Sequence, residues 1–362
     1  EGAGDMDAQE FAAAADRLAA EVSFDVRDDA LSVSARFLTE NRDAALDLLK
    51  LALTEPRFDP DAIERVRAQV LSGIASDAKD PNAIASRTFD RLAFGDHPYG
   101  SPLEGTEASV SVLTRDDIVA AHARVIARDR VHAAAAGDTG AEALGAMLDD
   151  LLGDLPATGA PMPKDAPWLL EGGVTVVDFE TPQSVITFGQ RGLDRHDPDF
   201  FPAFVMTRIL GGGGFSSRLT EEVREKRGLT YGIGAYLWPL DHAELLLGGT
   251  STVNARAAET VDVIRTQWRR LSEEGVTEAE LERAKTYLTG AYPLRFDGNA
   301  RIANILVGMQ LDELSPDYVL TRNDKVRAVT VEDIARVAAD LVDPEALHLV
   351  AVGRPEGLSA GN

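Results

Sequence analysis

The stretch Thr114-Arg-Asp-Asp-Ile118 returns late in the chain as Thr330-Val-Glu-Asp-Ile334. In both stretches a Thr that can cap a helix is followed by acidic residues in the first turn, which is typical of a helix N-terminus. Each predicted helix leads to a short apolar run that ends in glycine, His132–Gly137 in the first case and His348–Gly353 in the second. Both runs are predicted to be strands, and both end 23 residues after the Thr.

A second pair of similar stretches lies upstream and gives nearly the same separation. The octapeptide Phe58–Arg65 resembles Val276–Arg283. The separation is 216 residues between the two Thr caps and 218 residues between Glu64 and Glu282. Chance similarity of helix caps is the alternative, but two pairs with nearly one offset favour an internal duplication of roughly 217 residues. The second copy is expected to begin near Gly173, and the first copy to lack about 45 residues at its front.

The composition is that of a globular protein and excludes several functional classes. The chain has 362 residues, of which 44% are hydrophobic and 27% charged, so wholesale disorder is excluded. The formal net charge of −24 disfavours nucleic acid and anionic membrane surfaces as partners, because both are negatively charged. The absence of cysteine excludes disulfides, zinc–thiolate sites and thiol nucleophiles. No apolar run approaches the roughly 18 residues of a membrane span.

Helices and hairpin-like strand pairs are mixed along the chain, which predicts an α+β fold of two duplicated domains. Each domain is expected to be a mostly antiparallel or mixed β-sheet with helices packed on one face. The predicted boundaries are residues 1–153 for the N-terminal domain, 154–172 for a Pro-rich linker and 173–362 for the C-terminal domain. Helices are predicted at 8–21, 41–53, 59–78, 81–93, 200–210 and 216–227. Strands are predicted at 22–37 (a hairpin), 174–179, 184–190, 229–238 and 243–252.

Common catalytic signatures are missing from the sequence. No two of the six histidines lie four residues apart, so there is no His-x-x-x-His metal helix. No Ser lies in a Gly-x-Ser-x-Gly elbow, and the run Gly211–Gly214 fits neither a phosphate loop nor a dinucleotide-binding pattern. Such a run is typical of a mobile surface loop. Its functional alternative is exposed backbone N–H and C=O groups that pair with an extended ligand.

The segment after the glycines reads Phe215-Ser-Ser-Arg-Leu-Thr-Glu-Glu-Val-Arg-Glu-Lys-Arg-Gly-Leu-Thr-Tyr231. It resembles the insulinase/pitrilysin family of inverzincin metallopeptidases, which includes mitochondrial processing peptidase and bacterial two-subunit relatives. In that family an Arg and a Tyr lie seven residues apart after a Gly-rich loop, as Arg224 and Tyr231 do here. Further stretches fall where the family's first domain places them, namely 41–78, His97–Gly100, Gly105–Thr106, Thr114–Ile118 and Gly137–Asp138.

The resemblance implies a chemical role for the Arg and the Tyr. Family members bind zinc through His-x-x-Glu-His and a distal Glu in the first domain, and the second domain lies in the opposite half of a clam-shell chamber. By this resemblance Tyr231 and Arg224 are catalytic, with Tyr231 donating its O–H to an oxyanion and Arg224 binding the peptide backbone. Gly211, Gly212, Gly213, Gly214 and Phe215 are expected to bind substrate. The structural alternatives are an Arg224 paired with Glu221 or Glu225, and a Tyr231 half-buried in a strand beside Gly232.

The zinc ligands of the family are not found in this chain. His-x-x-Glu-His is absent, and its expected place is just before Glu1. Gly73 stands where the distal Glu ligand is expected, and glycine has no side chain that could bind a metal. Glu64 matches the ordinary acid that precedes Arg65, and Glu1–Asp5 matches a start common in zinc-less subunits. We therefore expect no metal in this chain and zinc in a partner subunit.

Three functional hypotheses follow from the resemblance. The leading one is the zinc-less subunit of a heterodimeric peptidase, inactive alone, whose partner carries His-x-x-Glu-His and whose substrates are unfolded peptides. A second is a structural or peptide-binding subunit without a catalytic role. A third is an intact zinc metalloendopeptidase whose motif lies upstream of Glu1. A homodimer is the expected state of the isolated chain, and family habit favours the periplasm, with the cytoplasm as the alternative.

Overall fold

The computed structural model describes residues 1–212, 214 and 216–359. The chain forms two compact units, and each unit is assembled from three separate segments. Unit 1 contains Glu1–Ile74, Leu103–Pro163 and Arg295–Pro316. Unit 2 contains Ala75–Pro102, Lys164–Leu294 and the described part of Asp317–Asn362. The predicted boundaries at 153 and 173 follow the sequence repeat rather than this packing, and they stay a prediction.

The secondary structure of the described chain is dominated by helices. The α-helices are α1 (Ala8–Arg17), α2 (Arg42–Thr54), α3 (Pro60–Asp77), α4 (Pro81–Phe94), α5 (Glu107–Val112), α6 (Arg115–Val125), α7 (Ala141–Leu152), α8 (Phe200–Leu210), α9 (Ala257–Glu274), α10 (Glu278–Ala291), α11 (Asn299–Leu311), α12 (Tyr318–Ala328) and α13 (Val331–Leu341). The strands are β1 (Glu21–Val26), β2 (Leu31–Arg36), β3 (Gly173–Asp178), β4 (Gln183–Arg191), β5 (Ile233–Leu240), β6 (Ala243–Val253) and β7 (His348–Gly353). No helix of the described residues is long and apolar enough to span a bilayer.

Unit 2 is built on a five-stranded sheet with the order β3-β7-β4-β6-β5. Only β3 and β7 are parallel, and the other neighbours are antiparallel, which confirms the predicted α+β class with a mixed sheet. Alternate side chains of the strands point to opposite faces. On one face Ile186 and Phe188 join a core with α8, α9, α10, α12 and α13. On the other face Val350 and Val352 pack against α4 through Phe89, which adds a helix that the sequence did not place there.

Unit 1 contains a two-stranded antiparallel sheet, in which Glu21 of β1 is paired with Arg36 of β2. This confirms the predicted hairpin at 22–37. A small cluster of buried leucines joins α2 to α7, formed by Leu49, Leu53, Leu151 and Leu155. The strand predicted at His132–Gly137 was wrong, because these residues belong to no strand. Its repeat counterpart β7 is a strand because β3 and β4 pair with it on both sides, whereas no strand of the described chain pairs with His132–Gly137.

The repeated Thr residues act as the predicted helix caps. Thr114 Oγ1 accepts a hydrogen bond from the Asp117 N–H (3.3 Å), and Thr330 Oγ1 accepts one from the Asp333 N–H (3.1 Å). In both helices the Asp side chain accepts a hydrogen bond from the Thr backbone N–H in return, which completes a capping box. The two copies of the repeat therefore share the same local device at α6 and α13.

We expect Thr330→Ala to lower the free energy of unfolding by about 1 kcal/mol, because it leaves the first-turn N–H groups of α13 without their cap. Urea unfolding monitored by circular dichroism measures the change. Thr330→Ser keeps the hydroxyl and should stay close to the parent protein. Equal stability of the Ala and Ser variants would show that the cap does not contribute.

We expect Gly73→Ala in α3 to raise the free energy of unfolding by about 1 kcal/mol, since glycine in a helix interior is less favourable than alanine. A Cβ at Gly73 would meet no heavy atom within 4 Å. The matched control is Gly275→Ala: Gly275 has a φ of +65° and its Cβ would lie 3.2 Å from Ala335 Cβ, so this change should destabilise. Thermal unfolding compares the two, and a less stable Gly73→Ala protein would contradict the prediction.

Candidate functional site

The segment that carries Arg224 lies in unit 2 and is helical, but not as the regular helix predicted for Ser216–Arg227. Residues Thr220–Glu225 form a π-helix, in which the Lys226 N–H donates to the Glu221 carbonyl five residues back (2.9 Å). Short π-helical turns within helices are frequently found at functional sites. The helical segment ends at Gly228, whose φ of +59° confirms the glycine that was predicted to close it.

Tyr231 follows in a turn rather than in the strand predicted for Leu229–Trp238, because β5 begins only at Ile233. The backbone just before Tyr231 is hydrogen-bonded outside the sheet. The Leu229 N–H donates to the Val223 carbonyl (2.9 Å), which is the last hydrogen bond of the helical segment. The Tyr231 side chain is 88% exposed, so the alternative of a half-buried strand residue was wrong.

Three threonine hydroxyls, Thr230, Thr250 and Thr252, hold the backbone on both sides of Tyr231, and we call them the threonine clamp. Thr252 Oγ1 donates to the Leu229 carbonyl (2.7 Å). The hydroxyl oxygens of Thr230 and Thr250 each lie 2.9 Å from the Gly232 carbonyl oxygen and 2.9 Å from each other. The Gly232 N–H donates back to Thr230 Oγ1 (3.2 Å). The clamp residues are buried, so an exposed phenol projects from a backbone fixed at its two neighbours.

Arg224 lies on the π-helix with a partly exposed side chain. Its Nε is 3.5 Å from Glu225 Oε1, which agrees with the structural alternative of a pair with that residue. Glu221, the other candidate partner, lies 2.9 Å from Lys226 Nζ. An ion pair exposed to water contributes about 0 to 1 kcal/mol. The contact between Arg224 and Glu225 by itself therefore contributes little to stability.

The glycine run is more tightly held at its start than a mobile loop would be. The Gly211 carbonyl accepts a hydrogen bond from the Ala235 N–H of β5 (3.0 Å), and a Cβ on Gly211 would lie 2.5 Å from that nitrogen. A Cβ on Gly212 would lie 2.6 Å from Arg208 Cα. Both positions therefore require glycine for close approach of backbone. Gly214 is exposed with a φ of +76°, while Gly213 and Phe215 lie outside the described residues.

Arg208 ties the glycine run to α10. Its Nη1 donates to the Gly212 carbonyl, and its Cζ lies 3.9 Å from the centroid of the Tyr287 ring. Such a cation–π contact fixes the direction of the guanidinium. The carbonyls of Gly211 and Gly212 are thus already bonded within unit 2. The sequence predicted that backbone groups of this run pair with an extended ligand. The carbonyls of Gly211 and Gly212 instead accept hydrogen bonds from Ala235 and Arg208.

An ion pair between a buried arginine and a partly buried glutamate joins the start of the helical segment to α10. Arg218 is 6% exposed, and it donates to Glu280 through Nε (2.6 Å) and Nη2 (2.9 Å). Glu280 also accepts from the Thr277 N–H (2.8 Å) in the capping box of α10. Burial opposes the Glu280 charge, but the Arg218 guanidinium and the Thr277 N–H outweigh it and lower the Glu280 pKa from 4.5 to about 2. Because this pKa is lower in the folded state, the stabilisation is complete above about pH 4.5 and is lost as the pH falls through about 2.

Sequence reasoning missed Arg218, Glu280 and the threonine clamp. Arg218 lies in the segment that carries the resemblance, and Glu280 lies in a stretch that revealed the repeat, where Thr277-x-x-Glu280 is a capping-box signature. Neither signal indicates that the two side chains meet, since they are far apart in sequence. The clamp has no sequence signature beyond the alternation of Thr250 and Thr252 on one face of β6.

Gly73 stands where the sequence comparison expects the third zinc ligand. Gly73 lies in α3 of unit 1 and is exposed. Across the described ranges, no three or more His, Asp or Glu side chains are grouped as a metal ion would need. That the chain holds no zinc, and that a partner does, stay predictions.

Comparison with known proteins shows which family the chain resembles. Residues 113–288 match the family described as "Peptidase M16 inactive domain". Over 312 residues the chain is 29% identical to an uncharacterized zinc protease of Mycobacterium tuberculosis, which covers 85% of this chain and 71% of that protein. Over 296 residues it is 27% identical to the non-peptidase homolog YmxG of Helicobacter pylori, with 82% and 68% covered.

A solved structure adds a close match in fold. The crystal structure of a peptidase M16 inactive domain from Pseudomonas fluorescens matches with a TM-score of 0.91 and 26% identity, covering 100% of this chain and 87% of that one. The relatives are named as proteases in some cases and as a non-peptidase in another, so their names agree on the family and differ on activity. The resemblance seen in the sequence is confirmed: the chain is similar to peptidase M16 proteins, and its matching region corresponds to the domain described as inactive.

Proposed function

We propose that this chain is the zinc-less subunit of a two-subunit peptidase and that it supplies Arg224 and Tyr231 to a homologous partner carrying His-x-x-Glu-His. The observation that carries the proposal is the exposed Tyr231 phenol (88%) on a backbone held by the threonine clamp. A hydrogen-bond donor stabilises a transition state most when it is already fixed where charge develops. A buried or loosely held tyrosine would not meet that condition.

The chemistry assigned to the two side chains is complementary. In peptide hydrolysis the carbonyl oxygen gains negative charge as water attacks, and the neutral Tyr231 O–H donates a hydrogen bond to it. Arg224 offers a planar fork of N–H donors that can bind backbone carbonyls of an extended peptide. Its partly exposed contact with Glu225 contributes little to stability. The metal and the general base belong, in this proposal, to the partner.

We expect Tyr231→Phe to lower the turnover number of the assembled two-subunit enzyme about 100-fold, which is the usual effect of removing one oxyanion donor. The measurement uses an unfolded peptide substrate and saturating partner. Tyr236→Phe is the matched control, because Tyr236 is also an exposed tyrosine of unit 2 but lies in β5, and its turnover should stay within twofold of the parent.

Unchanged turnover in the Tyr231→Phe enzyme would remove the catalytic role and favour a structural or peptide-binding subunit. The third alternative, an intact zinc enzyme, is tested separately by metal analysis of the full-length protein. Stoichiometric zinc, together with peptide cleavage by that protein alone, would overturn the zinc-less assignment.

We expect Arg224→Ala to raise KM of the assembled enzyme about tenfold or more while changing kcat less, since Arg224 is assigned to binding of the peptide backbone. Loss of a hydrogen bond to a charged group is worth about 1.5 to 3 kcal/mol. Arg270→Ala is the control, because Arg270 forms a similar exposed pair with Glu274 on α9. Equal KM values for the two variants would refute the role of Arg224.

The partner and the location complete the proposal. The isolated chain is proposed to be inactive and to associate with a homologous subunit, as a heterodimer in the assembled enzyme. A periplasmic location is proposed from family habit, and cell fractionation with an antibody to this chain tests it. Recovery of the chain with cytoplasmic markers would rule that location out.

A further inference from the structure

We infer that the Arg218–Glu280 ion pair is a positioning device that sets where Arg224 and Tyr231 stand. The positioning rests on contacts within unit 2, and its effect on catalysis rests on the proposed function. Arg218 lies in the helical turn that leads through Leu219 into the π-helix Thr220–Glu225, so a shift of Arg218 moves the start of the helical segment. Neither Arg218 nor Glu280 is proposed to contact substrate. Both act by fixing the backbone segment that carries Arg224 and Tyr231.

The ion pair connects three parts of the chain through one guanidinium. Arg218 Nη2 donates to the Gly275 carbonyl at the end of α9 (2.8 Å) as well as to Glu280 at the start of α10. Glu280 accepts from Arg218 with both carboxylate oxygens. This bidentate geometry fixes the direction of the side chain and not only its distance. A lysine at position 218 would keep the charge but could not form the same fork.

The helical segment is thereby held at both ends. Arg218 anchors its start, and the threonine clamp anchors the turn after its end. Between them Leu219 and Val223 are fully buried in the core of unit 2. A segment fixed at two ends and along one side has few ways to move. The orientation of Arg224 and Tyr231 is therefore determined by contacts that lie outside both residues.

The internal repeat shows that the helix itself does not require the acid. With the offset of 218 residues, Glu280 corresponds to Ala62, which lies in α3. That helix forms in unit 1 with alanine at the equivalent position. In the predicted repeat, the carboxylate of Glu280 is thus found only at the second position, where it has Arg218 as its partner. Helix formation alone does not explain why it is there.

The pair is also not arranged for maximal stability. Arg218 Nη1 is buried and has no hydrogen-bond partner among the described residues. An unsatisfied buried donor is unfavourable by about 1 to 3 kcal/mol. Buried ion pairs in general are weak contributors to stability, and apolar replacements of both partners are often neutral or stabilising. The bidentate geometry fixes the direction of Arg218 in addition to the stability that the charged pair contributes.

The test compares Arg218→Lys with the parent chain by amide hydrogen exchange and, in the assembled enzyme, by steady-state kinetics. We expect exchange of residues 217–232 to accelerate at least tenfold, while exchange in α13 and β7 stays within twofold. We expect kcat to fall at least tenfold. Adding Tyr231→Phe to Arg218→Lys should then lower kcat much less than the 100-fold expected in the parent, because the two changes act on one group.

Two further variants separate positioning from general stability. Arg336→Lys weakens another bidentate pair of unit 2, with Asp199, and should leave exchange of residues 217–232 unchanged. The double variant Arg218→Met with Glu280→Gln removes both charges, so it should fold even if Arg218→Lys does not. In that protein we expect rapid exchange confined to residues 217–232.

Uniform acceleration across unit 2, or no acceleration of residues 217–232 in either variant, would overturn the inference. Additive effects of Arg218→Lys and Tyr231→Phe on kcat would also overturn it. Failure of the proposed function would give a different experimental result. In that case Tyr231→Phe alone leaves turnover unchanged, while the exchange measurements still report whether the ion pair holds the segment.

Discussion

The pairing of β6 with β4 is the constraint on which unit 2 depends. Its register places Ile186 opposite Thr250 and Ser184 opposite Thr252, and so fixes which side chains of β6 face the helices. A slip of one residue would turn the threonine clamp to the other face of the sheet. On its other side β6 pairs with β5 at the edge of the sheet. The Gly211 carbonyl in turn accepts a hydrogen bond from the Ala235 N–H of β5. The local structure around Tyr231 is thus a consequence of sheet register.

Much of this fold could be predicted from sequence because its signals are local. The Thr114 and Thr330 caps and the terminating Gly228 each depend on residues within one or two turns. The strand at His132–Gly137 was predicted from its apolar pattern, but a strand forms only where neighbours pair with it. The turn at Tyr231 was mistaken for strand because threonine hydroxyls, which no pattern reveals, replace the backbone ladder there.

The candidate site was predictable only in part, for a related reason. The resemblance over residues 215–231 predicts Arg224 and Tyr231 as site residues. It contains no information on the tertiary contacts that fix their position. Arg218 meets Glu280 across a long stretch of chain, and the first glycine meets β5, through tertiary contacts alone. Similarity to peptidase M16 proteins indicates the fold more firmly than the chemistry, since function belongs to sites built on a fold.

The open space beside Gly73 bears on how freely this position can vary. In a packed core a new side chain must displace its neighbours, so few residues are tolerated. On the exposed face of α3 a Cβ at position 73 would meet no heavy atom within 4 Å. Packing therefore places no restriction on the first atom of a side chain there. Whatever selects glycine at this position, it is not the shape of the fold around it.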